Sequence, residues 1–279
     1  KDEIEAIHSM GVYVKVPIAQ CLAETGRRPV GTRWVDTNKG DLTNPKVRCR
    51  LVAQEVAIGK IPELFAATPP IEYIRYLVSC CASSQWSKKP TRVMVSDVKK
   101  AYFYAPATRR VFVALPPEDK GPGEEDMCGL LLKSLYGTRD AAFNWTAAYT
   151  SVMVDKLGFE KGESSPCSFF HPDRHLSTVV HGDDFVTEGE RYQLDWLDVE
   201  LRKHFEIKTE ILGPDAHKGE QREVRILNRV LRWEDSGICW EADPRHAELV
   251  VKQLHLEDAK IVSTPGSKED QTGKAEQRR

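Results

Sequence analysis

The sequence predicts an α+β fold. Short β-branched segments recur as hairpins, and between them lie segments whose apolar residues fall on one helical face. No run of about 18 apolar residues is long enough to span a membrane. The 279 residues exceed the usual size of a single domain, which predicts one elongated domain or two lobes. The charged amino terminus lacks the apolar stretch of a signal peptide, so a soluble, intracellular chain with no membrane partner is expected. Seven cysteines, odd in number, scattered and without a C-x-x-C pair, read as reduced and mostly buried thiols. The net charge of −2 hides an asymmetry. Residues 1–115 carry 18 basic against 10 acidic side chains, and residues 116–279 carry 22 against 32. A polyanion-binding surface therefore draws on the amino-terminal part and on local basic stripes.

The first lobe reads as strand-rich. Residues 30–36 and 46–54 are strands about a turn at 38–41. Period-2 alternation in the second strand sets Arg48 and Arg50 on one face and Val47, Cys49 and Leu51 on the other. Two adjacent guanidiniums suit a triphosphate or a nucleic-acid backbone, with ordinary surface arginines the alternative. After Pro69-Pro70, residues 74–82 have a helical apolar face that covers one side of a sheet. Residues 92–98 form a strand with Val93, Val95 and Asp97 on one face and Met94, Ser96 and Val98 on the other. A further strand at 111–115 stops at Pro116-Pro117, and the acidic segment 118–126 reads as a mobile loop without chemistry.

A helix is expected from Asp140 as N-cap through Phe143, Ala147, Val154 and Leu157 to Gly158. Ahead of it, Gly137 could let the backbone approach a flat base, or could serve helix entry alone. Residues 193–205 read as a helix with Leu194, Leu197, Leu201 and Phe205 on its apolar face. Residues 223–233 and 238–242 read as strands, the first with Arg225 and Arg229 on a shared face. Asp243-Pro244 opens a last helix through Leu249, Val250 and Leu254, and the polar tail from Ser263 reads as disordered.

The chemistry concentrates at His181-Gly182-Asp183-Asp184. β-Branched sequence enters this turn at 176–180 and apolar sequence leaves it at 185–187, which makes a short hairpin. An Asp-Asp pair alone more often caps a helix or makes a solvated turn. Here Asp97 stands near the end of another apolar strand, well placed to meet the hairpin. Three carboxylates brought together repel when ionised, and a bound cation offsets that cost. The expected occupant is Mg²⁺.

Taken in order, these segments resemble the reverse transcriptase of copia-type long-terminal-repeat retrotransposons over roughly residues 25–265. Lys46-Val47-Arg48-Cys49-Arg50-Leu51-Val52-Ala53 is similar to the family's fingers strand. Asp97-Val98-Lys99-Lys100-Ala101-Tyr102 is similar to its first catalytic motif, and Leu135-Tyr136-Gly137-Thr138-Arg139-Asp140-Ala141 to its template-and-nucleotide motif. His181-Gly182-Asp183-Asp184 falls at its aspartate box, and Thr264-Pro265 at its closing motif. The resemblance implies a right-hand polymerase: a fingers lobe, an antiparallel palm sheet backed by helices, and a partial thumb. The implied organisation is an amino-terminal extension (1–24), fingers and palm (about 25–215), a thumb-like part (about 216–265) and a tail or connection (266–279).

The resemblance further implies RNA-directed DNA synthesis with Asp97, Asp183 and Asp184 as catalytic metal ligands for two Mg²⁺ ions (or Mn²⁺) about 3.5–4 Å apart. Arg48, Arg50, Tyr102, Gly137 and Arg139 would serve the nucleotide, with Tyr102 excluding a 2′-hydroxyl. Arg225 and Arg229 would contact the primer side, with a solvated strand face as the alternative. RNA template, DNA or tRNA primer and dNTPs are the implied partners. A larger polyprotein with integrase and ribonuclease H is the implied context, in a cytoplasmic virus-like particle or the nucleus. The chain departs from the family pattern at His181-Gly182 (usually Tyr-Val), Asp140 (usually Gln), Ala142-Phe143 (usually Pro-Arg) and the segment 55–64 (usually glycine-rich). Two other readings stay open: a catalytically inactive remnant that only binds nucleic acid, and an RNA-dependent RNA polymerase, which shares the Gly-Asp-Asp turn.

Overall fold

The structure, a computed structural model, describes residues 2–38, 44–56, 64 and 66–260, with His246 described by its backbone alone. The expected turn at 38–41 past its first residue, most of the segment 55–64, and the tail beyond 260 with Thr264-Pro265 lie outside the described residues. In chain order the elements are α1 (Asp2–Ser9), β1 (Tyr13–Pro17), α2 (Ile18–Thr25), β2 (Thr32–Asn38), β3 (Val47–Ala53), α3 (Ile71–Ser84) and β4 (Thr91–Val98). There follow β5 (Phe112–Ala114), β6 (Met127–Leu131), α4 (Ala141–Ser151), β7 (Glu160–Lys161), β8 (Ser168–His171), β9 (Leu176–His181) and β10 (Asp184–Glu190). The chain continues with α5 (Arg191–Arg202), β11 (Ile207–Leu212), β12 (Glu223–Ile226), β13 (Arg229–Glu234), β14 (Gly237–Ala242) and α6 (Arg245–Gln253).

Six strands in the order β11-β4-β10-β9-β8-β7, each pair antiparallel, make the central sheet. β4 is apolar on both faces because both are covered. Met94 and Val98 enter a core with α4 and α5, while Val93 and Val95 enter a second core with α3 and the β12-β13-β14 sheet. The expected alternation therefore holds residue by residue. α5 contributes Leu194, Leu197 and Leu201, all buried as expected, at about 1.5–3 kcal/mol of burial each. The amino-terminal lobe comprises the β1-β6-β5 sheet and the β2-β3 hairpin. Residues ahead of 25 are built into it: β1 pairs along its whole length with β6, and Ile7, Val12 and Tyr13 share a core with Leu51 and Phe103.

Several expectations are corrected. The helix after Asp140 buries Trp145, Tyr149, Met153 and Leu157, while Phe143 and Ala147 face solvent. The buried face is set by Ala141, Trp145 and Tyr149, off which Phe143 and Ala147 lie, and a π-helical turn, Val152–Lys156, ends the helix and rephases only the residues beyond it. Asp140 precedes that helix without a side-chain capping bond, because its carboxylate pairs with Arg109 instead.

The segment 118–126 is pinned where mobility was expected: Asp119 is buried, accepts a 2.7 Å hydrogen bond from Tyr13 and lies 2.5 Å from His8 Nε2. The single strand expected at 223–233 is a hairpin turning at Leu227-Asn228, both left-handed with φ +47° and +59°. Arg225 thereby pairs opposite Val230 and Arg229 opposite Ile226, so the two arginines do not share a face. α6 forms after Asp243-Pro244, with Leu249, Val250 and Leu254 exposed. Four of the seven cysteines are buried; Cys49 is exposed, and Cys80 and Cys239 are intermediate.

A candidate carboxylate centre facing a basic hairpin

β4 and β10 pair so that Asp97 and Asp184 stand directly opposite one another, and Asp183 lies in the turn just before β10. Gly182 makes that turn possible with φ +64°, a left-handed conformation that glycine adopts without steric cost. The turn is held at both ends. Val98 N–H donates to Asp183 O at 2.9 Å, and the indole Nε1–H of buried Trp145 donates to Gly182 O at 2.7 Å. α4 thus fixes the carboxylate turn through a side chain whose ring also packs against Phe185 and Phe205.

Burial, then the charges of Asp183 and Asp97, pushes the Asp184 carboxyl up to about 7. Burial and Asp183 likewise raise Asp97, against the opposing pull of Arg48, Lys208 and Arg50. Among the described residues no hydrogen bond or ion pair neutralises any of the three side chains. A partly open cavity of about 380 Å³ adjoins them, lined among others by Asp97, Asp184, Lys208, Gln221 and Arg225. Lys208 lies directly opposite Asp97 in the β11-β4 register and so shares its face.

The basic wall comes from β3. Arg48 and Arg50 project from one face and both act electrostatically on Asp97; Arg50 lies over the Tyr136 ring, 5.2 Å from its centroid. Tyr102, four residues beyond the end of β4 at Val98, stands in the short turn Ala101–Tyr104 with its ring 5.0 Å from that of Tyr136. Burial and then Asp183 raise its phenol, so this ring too lies within the field of the carboxylates. The expected Arg48, Arg50, Tyr102, Asp97, Asp183 and Asp184 are therefore brought together.

Other expected residues have different positions. Gly137, with φ +82°, is packed so tightly on β3 that a Cβ would lie 2.0 Å from Ala53 O and 2.6 Å from Val52 Cγ1. Its requirement is strand contact, reinforced by the 2.7 Å bond from Ala53 N–H to Tyr136 O. Arg139 donates its backbone N–H to Glu55. Glu55 in turn binds Arg109 through both oxygens, at 2.9 and 3.0 Å, and Arg109 reaches Asp140 at 2.6 Å. Burial works against both acids, but Arg109 outweighs it and holds Glu55 and Asp140 below their ordinary values. Arg225 lines the cavity beside the carboxylates, whereas Arg229 does not.

Sequence reading missed four residues. Trp145 was hidden by the shifted helical stripe, and Lys208 has no local signal apart from its β-register. Tyr136 lies in the segment 135–141, where nothing local marks it for a role. Glu3 belongs to the expected amino-terminal extension, yet it is buried beside Lys100, 3.9 Å from Nζ, raises the Tyr136 phenol and is itself stabilised by Arg50.

The chain is similar to known proteins in sequence and in fold. Over its full aligned length of 275 residues, 95% of this chain, the sequence is 26% identical to the Retrovirus-related Pol polyprotein from transposon TNT 1-94 of Nicotiana tabacum. The chain spans 19% of that relative. Among solved structures, apo telomerase from Candida tropicalis, truncated from its C-terminal domain, superposes with a TM-score of 0.44 at 10% identity, covering 85% of this chain and 59% of that one. Telomerase from Candida albicans in complex with a fragment of telomeric RNA gives 0.41 at 8% identity, with 85% and 50% covered. The profile of the family described as "Reverse transcriptase (RNA-dependent DNA polymerase)" matches residues 21–215, a span that contains Arg48, Arg50, Asp97, Tyr102, Asp183 and Asp184. The chain belongs to the reverse transcriptase family.

Proposed function

We propose that this chain is the RNA-directed DNA polymerase segment of a copia-type retrotransposon polyprotein, adding dNTPs to a primer 3′-hydroxyl on an RNA template. The observation that carries the reading is the opposed pair Asp97 and Asp184 with Asp183 in the adjoining turn, all lacking a cationic partner among the described residues. Oxygen donors of this kind suit hard divalent cations. Among the described residues no three acidic, histidine or cysteine side chains are arranged as a ready-made metal cage. Mg²⁺ does not need one, because it takes one or two carboxylates and completes its shell with water and substrate phosphates. Two Mg²⁺ ions, or Mn²⁺, held by Asp97 and Asp183 with Asp184 in support would supply charge neutralisation at the attacking 3′-oxygen and the leaving pyrophosphate.

The remaining work falls to the chain's own side chains. Arg48 and Arg50 neutralise the incoming triphosphate, and Tyr102, backed by Tyr136, lies against the sugar and disfavours a 2′-hydroxyl. Arg225 and Lys208, which line one cavity with Asp97 and Asp184, serve the primer terminus, while Arg229, on the opposite face of its hairpin, falls to the alternative of a solvated strand face. Gly137 and Arg139 act on the nucleotide indirectly, by docking their loop on β3 and Glu55. In this reading residues 25–215 form fingers and palm and 216–265 the thumb-like part. No described helix is long and apolar enough to cross a membrane. The polyprotein context, with integrase and ribonuclease H, and a virus-like particle or nuclear setting belong to the same proposal.

Magnesium-dependent extension of a DNA primer on an RNA template tests it, with wild type, Asp183→Asn, and dNTPs against rNTPs. Extension by wild type alone and with dNTPs alone supports the reading. Efficient use of rNTPs would favour an RNA polymerase. Primer–template binding without extension would favour the inactive remnant, a reading to which the commitment of Asp140 to Arg109 lends some support.

A further inference from the structure

We propose that Glu3 of α1 is a positioning residue of the nucleotide site, holding Lys100 and Arg50 so that their charges converge where a triphosphate would bind. The inference rests on the nucleotide-site reading above. Glu3 and Ile7 lie four residues apart on one face of α1, and Ile7 is buried in the core that contains Leu51 of β3. Packing of Ile7 therefore carries Glu3 to the back of the strand that bears Arg48 and Arg50.

There the carboxylate is 8% exposed, Oε2 lies 3.9 Å from Lys100 Nζ, and Oε1 has no hydrogen-bond partner. Arg50 answers in kind, since its Nε is also buried without a partner. Burial pushes the Glu3 carboxyl up, against stabilisation by Lys100, the Leu51 amide, Arg50 and Arg48. A core position at this depth would be filled by an apolar side chain at lower free energy, because a buried charge is retained only against a desolvation cost.

Lys100 shows what the carboxylate holds. It adopts a left-handed conformation, φ +55°, that a lysine rarely takes, and it opens the turn Ala101–Tyr104 that carries Tyr102. Its Nζ is tied to α1 twice, by Asp2 O at 3.3 Å and by Glu3. One helix thus braces the segment that follows Asp97 and the strand that carries the arginine pair. Without the Glu3 carboxylate, Lys100 Nζ keeps only the Asp2 carbonyl as its tie to α1.

The test compares wild type, Glu3→Gln, Glu3→Met, Lys100→Met and the double variant Glu3→Gln/Lys100→Met. Isothermal titration of dGTP with Mg²⁺ into the chain bound to a dideoxy-terminated primer–template gives nucleotide affinity without turnover. Single-nucleotide extension then separates KM from kcat. Both Glu3 variants should weaken dGTP binding roughly tenfold, corresponding to the loss of one charge-assisted contact. KM should rise by a similar factor, with kcat changed by less than about threefold. Glu3→Met should keep the melting temperature, so the loss is not one of folding. The double variant should be no worse than Lys100→Met alone.

Simple repulsion predicts the reverse sign, since removing an anion beside a phosphate site should tighten binding. Unchanged or tighter binding by Glu3→Gln, additive losses in the double variant, or no nucleotide binding by wild type would each overturn the inference. Wild type that binds dGTP but fails to extend a primer overturns the polymerase reading instead, and the affinity ratios still decide the role of Glu3.

Discussion

Replacing Asp184 with asparagine should make the metal-free protein more stable than wild type above neutral pH. Burial and the neighbouring charges of Asp183 and Asp97 raise this carboxyl from 3.8 to about 7. The folded state therefore holds a proton that the unfolded chain has already released. The stability linked to that proton is complete below the unfolded value and is lost as pH rises through the folded one. A gap of about three pKa units sets a ceiling of roughly 4 kcal/mol at high pH. Sharing of the repulsion among three carboxylates, and water in the adjoining cavity, reduce the expected figure to roughly 1–3 kcal/mol. For a chain of this size that corresponds to roughly 3–10 °C in melting temperature.

Differential scanning calorimetry in EDTA, from pH 5.5 to 8.5, reads the effect as the difference between wild type and Asp184→Asn. The difference should grow in favour of the variant as pH rises to about 7 and level off above it. Added Mg²⁺ should then stabilise wild type at pH 8 by more than it stabilises the variant, and much less at pH 5.5. Parallel curves, or a wild type that gains on the variant as pH rises, would refute the account of Asp184 as a half-buried carboxylate raised by burial and by its acidic neighbours.

Three further outcomes are expected. Arg109→Ala strands Glu55 and the nearly buried Asp140, and should lower stability by about 2–4 kcal/mol in urea unfolding, with part of the loss recovered in Arg109→Ala/Asp140→Ala. Trp145→Phe keeps most of the ring packing but leaves Gly182 O without its 2.7 Å donor, so kcat for primer extension should fall about tenfold, more than affinity for primer–template does. Tyr102→Val should raise ribonucleotide use relative to deoxynucleotide use by roughly 10–100-fold, measured as the ratio of kcat/KM values in single-nucleotide extension.

How much of this could be read from sequence depended on whether a residue's environment is set locally. β4 was legible residue by residue because a strand covered on both faces obeys a strict period of two, and Asp97 is the exception within an apolar run. The β9-β10 turn was legible because Gly182 and two acids interrupt β-branched sequence. α4 was misphased, since its buried stripe includes polar Asn144 and ends in a π-helical turn that no 3.6-residue period anticipates. The β12-β13 turn escaped notice because Leu227 is not a residue expected at positive φ. Asp140 has the sequence of an N-cap, and only the distant Arg109 diverts it. Glu3 lies about 94 residues from Asp97, and nothing local distinguishes it from a solvated helix acid until Ile7 is seen to bury that face.

The two sides of the site carry opposite charge on different supports: the acids on the central sheet, the arginine pair on a hairpin that pairs with no other strand among the described residues. Left to Coulomb attraction alone, Arg48 and Arg50 would close onto Asp97 and Asp183 and fill the space a nucleotide needs. Short, rigid contacts oppose that collapse. Gly137 lies against Ala53 O, Ala53 N–H is bound to Tyr136 O, and Tyr136 stands between Arg50 and Tyr102 with a ring contact to each. At the strand's end Glu55 is clamped by Arg109 and the Arg139 amide. These contacts fix β3 at a set distance from the sheet, so the opposed charges remain separated and partly desolvated. A dianionic or more highly charged phosphate group accompanied by divalent cations can satisfy both sides at once, the phosphates on the guanidiniums and the cations on the carboxylates. A neutral ligand, or an anion without a cation, leaves one side uncompensated. On the proposed polymerase reading, the geometry that makes the unpaired carboxylates costly would favour a metal-bound triphosphate.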